Sequence, residues 1–325
     1  MRIAYDVMAG EFRRALLKYG MTPERAGLSA KLFADASLDG VYTHGLNRFP
    51  KFIKSVQQGC VDIQAVPVCT ERAGALERWD GRKGPGNLNA YFCMEQAIRL
   101  ARLHEIGCVA LSNTNHWMRP GNYGLMAADH NCIGVLWTNT VPNMPAWGGK
   151  DPKLGNNPLV VAIPHKGGHI LLDIAMSMFS YGKLESYARQ KRELPVEGGF
   201  DRQGKPTRNP SEVLATHQPM PIGYWKGSGL SLALDLTAAV LANGRSSRKI
   251  GQLPHETELS QVFLAHGEQT ARTIADTLAD MEVSEPMQPG ATVHYPGEGM
   301  RRTREDNRLH GIPVDESVWK AVQAL

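Results

Sequence analysis

The sequence predicts an α/β protein: a sheet domain over residues 71–299 and a helical module over 1–70 that residues 300–325 join. Three observations predict it. The first sixty residues carry only helical spacing. From about residue 70 short β-rich runs alternate with helical patterns. The closing segment 315–325 reads as a short capped helix whose Val318, Val322 and Leu325 can pack back on the N-terminal helices. A chain of 325 residues also fits about two domains at roughly 150 residues each.

Met8, Phe12, Ala15 and Leu16 recur at helical spacing before Gly20, a suitable residue just past a helix end. Thr22-Pro23 opens a second helix, with Leu32, Phe33 and Ala36 as its buried stripe and Gly40 as its stop. A third helix is expected over 49–58, ending at Gly59, with Pro50 tolerable only in its first turn. Strands are expected over 108–111, 133–137, 159–163 and 170–174, and helices over 91–104 and 122–130. Continuous apolar runs argue for strands covered on both faces. Residues 230–241 are apolar nearly all round, which predicts a buried helix. Residues 186–220 are polar and turn-rich and read as an excursion or lid.

Composition narrows the function. With 42% apolar and 21% charged residues, the chain has the mixture of a soluble globular protein. A net charge of +4, without a dense basic run, argues against a nucleic-acid partner. No window approaches the roughly 20 apolar residues that a membrane span needs, and no signal-like leader is seen. Five scattered cysteines without a CxxC pair are expected to be reduced, which points to the cytoplasm. The eleven histidines show no metal-ligand spacing, and no metal is expected. Gly84-Pro85-Gly86-Asn87-Leu88-Asn89 is not the dinucleotide fingerprint, because it lacks the third glycine. Gly199–Lys205 approaches a phosphate-binding loop, but Pro206 stands where Ser or Thr should be, so a surface turn is expected.

Three clusters can carry chemistry. In Tyr42–Pro50, His44 lies four residues before Arg48, pairing a group that shuttles protons near neutral pH with one that grips carboxylates. A cap with a surface arginine is the bland alternative. In Ser112–Gly121, Asn115, His116 and Trp117 follow a strand, where α/β proteins place ligand sites. A hydrogen-bonded loop plugged by Trp117 explains the same residues. The third cluster is composite: Asp173 at a strand end, Gly223–Gly229 with Trp225 and Lys226 before a helix, and Pro296–Gly299. Glycines at a helix start let amides approach a pyrophosphate, Lys226 adds a charge, and Asp173 suits a ribose diol or a structural role.

Read together, these strings resemble the malate/L-lactate dehydrogenase family that lacks a Rossmann domain. They include Gly40–Gly45 with Asn47–Pro50, Asn115–Arg119, Trp137–Asn139, Asn157–Leu159, Met176–Gly182, Leu194–Val196, Gly223–Gly229 and Gly311–Trp319, in order over nearly the whole chain. The resemblance implies a homodimer with an unusual, non-Rossmann nucleotide-binding α/β domain and a helical module formed by both termini. It also implies reduction of a small-molecule 2-oxo acid, here a sugar acid, with NADH or NADPH as cofactor. His44 would give the proton, with His116 a rival. Arg48 would hold the carboxylate, and Asn115 with His116 would bind substrate oxygens. The cofactor would meet His169, Ile170, Leu171, Leu172, Asp173, Ile174 and Ala175, then Trp225 and Lys226, then Gly297, Glu298 and Gly299. Malate, lactate, ureidoglycolate or a cyclic imino acid remain alternative substrates of the same family. The chain departs from the expected pattern at Pro296-Gly297-Glu298-Gly299, where a His is expected before the Glu, and by one inserted residue near 166–169.

Overall fold

The computed structural model describes residues 1–267, 271–288 and 290–325. Helices Tyr5–Lys18, Pro23–Leu38 and Phe49–Gln57 pack through an aromatic triad. The Phe12 ring stacks on Phe49 at 4.3 Å, and Phe33 meets Phe49 edge-on at 5.1 Å. Such pairs add about 0.5–1.5 kcal/mol each beyond burial. Pro50 does fall in the first turn, where its missing N–H leaves no helical bond unmade. The two ends of the chain meet here. Arg2–Ile3 pairs antiparallel with Ile312–Pro313, and helix Glu316–Ala324 adds Trp319 and Val322 to the same apolar cluster. Asp315 caps that helix by accepting the Ser317 N–H at 2.9 Å. The cluster continues without a break into one face of the sheet.

That sheet has seven strands in the spatial order Val68–Ala73, Leu76–Asp80, Ile106–Thr114, Leu259–His266, Ile133–Thr138, Leu159–Ile163, Ile170–Ile174. Only Leu76–Asp80 and Ile106–Thr114 run parallel, joined by the crossover helix Gly86–His104; every other neighbouring pair is antiparallel. The four expected strands are present, and both faces are covered as the apolar runs require. Period-two alternation sends Val109 and Leu111 to the cluster shared with helices Gly86–His104 and Gly121–Asp129. It sends Ala110 to the opposite cluster, under helix Trp225–Leu241. Three strands, Val68–Ala73, Leu76–Asp80 and the central Leu259–His266, are not among the expected ones.

One expectation is corrected. Helix Trp225–Leu241 is not buried all round: Ser231, Leu234, Asp235 and Ala238 face the sheet, whereas Leu230, Leu232, Leu236 and Val240 are exposed. The apolar composition therefore marks two different faces, of which the sheet covers one. The polar excursion folds on itself, with helices Tyr181–Arg189 and Pro210–Thr216 around Leu184, Leu194 and Val213. Gly199–Phe200 and Pro206–Thr207 form a hairpin there, and Asp201 closes its turn by accepting the Gln203 and Lys205 N–H groups. Gly182 of this excursion lies so close to Thr43 that a Cβ would stand 2.7 Å from its methyl group. Among the described residues no helix is long and apolar enough to cross a membrane, and no His/Cys/Asp/Glu group could hold a metal.

Candidate active site

Two segments distant in sequence build a small polar cavity. Residues 42–48 turn tightly before helix Phe49–Gln57, with Gly45 N–H bonded to Val41 O and Arg48 N–H to Gly45 O. Gly45 is pressed against the preceding helix: a Cβ there would lie 2.1 Å from Ser37 Oγ, which accepts the Leu46 N–H. This packing holds His44 and Arg48 at the mouth of the helix. From the sheet side, the loop after Ile106–Thr114 supplies His116. Its backbone lies on the start of helix Gly86–His104, where a Cβ at Gly86 would meet Asn115 O at 2.2 Å and His116 O at 2.3 Å.

The imidazoles of His44 and His116 stack with centroids 5.7 Å apart and planes 22° from parallel. Arg48, Asn115 and His116 line one cavity of about 220 Å³, together with residues of helix Phe49–Gln57 and His255-Glu256. The structure thus places Arg48, Asn115 and His116 on the cavity, with His44 against the His116 ring and not in the lining itself. The Met118 N–H donates to His116 Nδ1 at 2.9 Å, so the neutral ring carries its proton on Nε2. His44 Nδ1 lies 3.2 Å from Thr43 Oγ1.

Asn115 has a different task from the one expected. Its Nδ2 donates to Lys83 O at 2.7 Å and Gly84 O at 3.0 Å, so both N–H donors brace the wall of the site and neither is left to polarise a carbonyl.

Electrostatics favour uncharged imidazoles. Burial, then the Arg48 and Arg119 cations, push the His44 pKa down from 6.5 to about 4. Burial, Arg48 and His44 together push His116 well below its ordinary value. Arg119 had no assigned role in the sequence and proves to be a buried strut. It pairs with buried Asp39 and donates to Asn122 Oδ1 at 2.9 Å, while Arg304 pairs with the other Asp39 oxygen. Glu256 is likewise unanticipated and lies 3.7 Å from the Arg48 guanidinium. A buried arginine and a distant loop glutamate leave no local pattern that spacing could reveal.

The segments expected to hold a dinucleotide line the outermost strand, Ile170–Ile174. Leu171 N–H donates to Pro296 O at 2.9 Å, which lays Pro296–Gly299 against His169–Leu171. Gly297, at φ +108°, is so close that a Cβ would stand 2.8 Å from His169 O. Farther along, Ile222 N–H donates to Met176 O, which brings Gly223–Lys226 next to Ile174 and Ala175. Asp173 accepts the Gly121 N–H at 3.0 Å through one oxygen and is otherwise exposed. His169 bridges the His165 N–H and Asp129 at 3.0 Å, and Glu298 pairs with His294 at 2.7 Å. The glycine expectation is corrected at Gly227: its Cβ would meet Ile222 O at 2.2 Å, and the amides of residues 226–228 already bond within the turn. Gly223 and Gly227 serve the turn itself, leaving the exposed Trp225 ring and the Lys226 ammonium as side-chain groups available to a ligand.

The family described as malate/L-lactate dehydrogenase matches residues 3–323. The chain belongs to this family. Within it, the chain is 41% identical over 333 residues to a 2,3-diketo-L-gulonate reductase of Citrobacter koseri, and 41% identical to one of Klebsiella pneumoniae, covering all of both chains in each case. Among solved family structures, sulfolactate dehydrogenase from Methanocaldococcus jannaschii is 28% identical, with a TM-score of 0.91 over 100% of this chain and 96% of that one. Malate dehydrogenase from Entamoeba histolytica, at 23% identity, shares the fold with a TM-score of 0.94, covering 100% of this chain and 96% of its own. Membership in this family makes the protein an oxidoreductase, a reductase of 2-oxo acids.

Proposed function

We propose that the chain reduces 2,3-diketo-L-gulonate to 3-dehydro-L-gulonate with NADH, NADPH being the alternative donor. The observation that carries this reading is His116 sharing one cavity with Arg48 while its ring stacks on that of His44 behind it, in a chain 41% identical to reductases of that name.

When bound, the nicotinamide supplies the hydride that reaches the C2 carbonyl carbon. Arg48 grips the substrate carboxylate and fixes which face of the carbonyl is presented; such orientation contributes several kcal/mol to lowering the barrier. His116, with its proton on Nε2, donates a hydrogen bond to the carbonyl oxygen. His44 delivers the proton that completes the hydroxyl group. Its depressed pKa means that it is neutral in the empty site. The substrate carboxylate offsets the Arg48 charge and so moves the His44 pKa part of the way back up, burial and Arg119 still holding it down. The residues along the edge strand suit a dinucleotide: the open side of Asp173 for a ribose diol, Lys226 for a phosphate, and the Gly297 cradle for backbone approach.

In this reading residues 71–299 form the non-Rossmann nucleotide-binding domain, and 1–70 with 300–325 form the module that carries His44 and Arg48. The exposed stripe Leu230, Leu232, Leu236 and Val240 is covered by the same helix of a second copy, making a homodimer. Support comes from its composition: between Lys226 and Arg245 the helix has one charged residue, Asp235, and that one faces the sheet. Five unpaired cysteines support a cytoplasmic location.

The test is loss of reduced-nicotinamide absorbance with NADH and with NADPH against 2,3-diketo-L-gulonate, oxaloacetate, pyruvate and a cyclic imino acid. Oxidation with the diketo acid at far higher kcat/KM than with the others is expected. Oxidation with any of the others instead overturns the substrate and keeps the family.

A further inference from the structure

The cavity extends well past the groups that the chemistry needs. Arg48, Lys51, Ser55 and Gln58 all line it. Their spacing of three, four and three residues puts them on one face of helix Phe49–Gln57 and its end. From Arg48 to Ser55 the helix axis rises about 10 Å, and to Gln58 about 15 Å. A three-carbon 2-oxo acid held at Arg48 would leave most of that face unused.

The unused part is polar and available. The Lys51 ammonium and the Gln58 amide have no partner among the described residues and are exposed. Ser55 Oγ donates to Lys51 O at 3.1 Å, which leaves its oxygen free to accept. Across the cavity the Glu256 carboxylate has, among the described residues, Arg48 as its one charged partner, at a separation longer than a hydrogen bond. Its carboxylate can therefore accept from one or two hydroxyl groups once the substrate carboxylate has taken its place on Arg48. Phe52, Val61 and Met118 give the same cavity an apolar floor against which a carbon chain can lie.

We propose that the Lys51–Ser55–Gln58 face and Glu256 opposite form a subsite for the hydroxylated tail of the substrate, selecting polyhydroxy 2-oxo acids over unsubstituted ones of similar length. The placement of the carboxylate on Arg48 rests on the function proposed above. A site built to bond hydroxyl groups rejects an analogue without them, because its own polar groups are then left unpaired. The doubly acceptor Glu256 carries the largest share, since bonds to a charged group are the stronger ones.

The experiment compares kcat/KM for two hydroxylated acids, 2,3-diketo-L-gulonate and 2-keto-L-gulonate, with 2-oxohexanoate, in the full chain and in Glu256→Gln and Gln58→Leu. The wild type should prefer a hydroxylated acid, and the ratio to 2-oxohexanoate should fall roughly three- to tenfold in Gln58→Leu and at least tenfold in Glu256→Gln. Gln58 is exposed, so its replacement leaves the core intact. A ratio unchanged in both variants, or a wild type that prefers 2-oxohexanoate, overturns the subsite. Preference for 2-keto-L-gulonate with no turnover of the diketo acid overturns the proposed function while upholding the subsite. Silence with all three, with NADH bound, overturns both.

Discussion

Replacing His44 by Gln tests the electrostatic description of the site most directly. The structure depresses this imidazole from 6.5 to about 4, burial contributing most and Arg48 and Arg119 the rest. At about 1.4 kcal/mol per pKa unit, charging it in the folded protein costs about 3 kcal/mol more than charging it in the unfolded chain. Because the folded pKa lies below the unfolded one, the folded state binds fewer protons between the two values. Stability therefore falls as pH drops from about 6.5, and that share is fully lost below about pH 4. Urea denaturation at pH 7.5 and at pH 4 measures it. Wild type should lose about 3 kcal/mol more than His44→Gln over that interval, other titrating groups being common to both. The same pKa sets the rate. Only about one free enzyme in a thousand carries imidazolium at pH 7, so kcat/KM for reduction should fall tenfold per pH unit from pH 5 to 8. Reverse oxidation needs the neutral ring and should not decline over that range. An equal acid loss in the two proteins, or a flat reductive profile, would refute the assignment of a depressed, proton-donating His44.

Other perturbations probe other parts. Asp39→Asn leaves Arg119 and Arg304 without their shared buried carboxylate and should cost about 3–5 kcal/mol, read as a lowered urea midpoint. Gly86→Ala drives a methyl group into the Asn115 and His116 carbonyls, and kcat should drop at least tenfold while NADH binding, followed by fluorescence, stays within twofold. Gly297→Ala combines a φ of +108° with a 2.8 Å approach to His169 O, and should raise the NADH dissociation constant about tenfold or more in a binding titration. Leu236→Glu puts a charge in the exposed apolar stripe and should shift the proposed dimer to monomer in light scattering without altering the circular dichroism.

What the sequence made legible follows from how each element is buried. Ile133–Thr138, Leu159–Ile163 and Ile170–Ile174 announced themselves because both faces are apolar. The central strand Leu259–His266 did not, since Ser260 and Gln261 interrupt its apolar run; both are fully buried, and the Ser260 N–H and the Gln261 Nε2 donate to groups 121 and 146 residues away, Asn139 Oδ1 and the Asn115 carbonyl. Val68–Ala73 is an exposed edge whose side chains nearly all face solvent, so it carries no apolar run. In the site, His44, Arg48 and His116 stood out because they lie in dense motifs at element ends. The Asp39–Arg119 pair was invisible because its partners are 80 residues apart. Residues 230–241 predict a wholly buried helix because sequence records that a face is apolar and not what covers it.

The pairing of Arg2–Ile3 with Ile312–Pro313 has a consequence for how the protein comes into being. Arg14 reaches the Gln323 carbonyl, 309 residues away, and Trp319 and Val322 complete the packing around Phe12 and Leu16. During synthesis the first helices emerge long before the residues that close over them, and their apolar faces wait uncovered until those residues follow. Closure over so long a loop is slow, and the interval exposes the chain to aggregation and to chaperones. A product that lacked residues 312–324 would leave those helices without these neighbours.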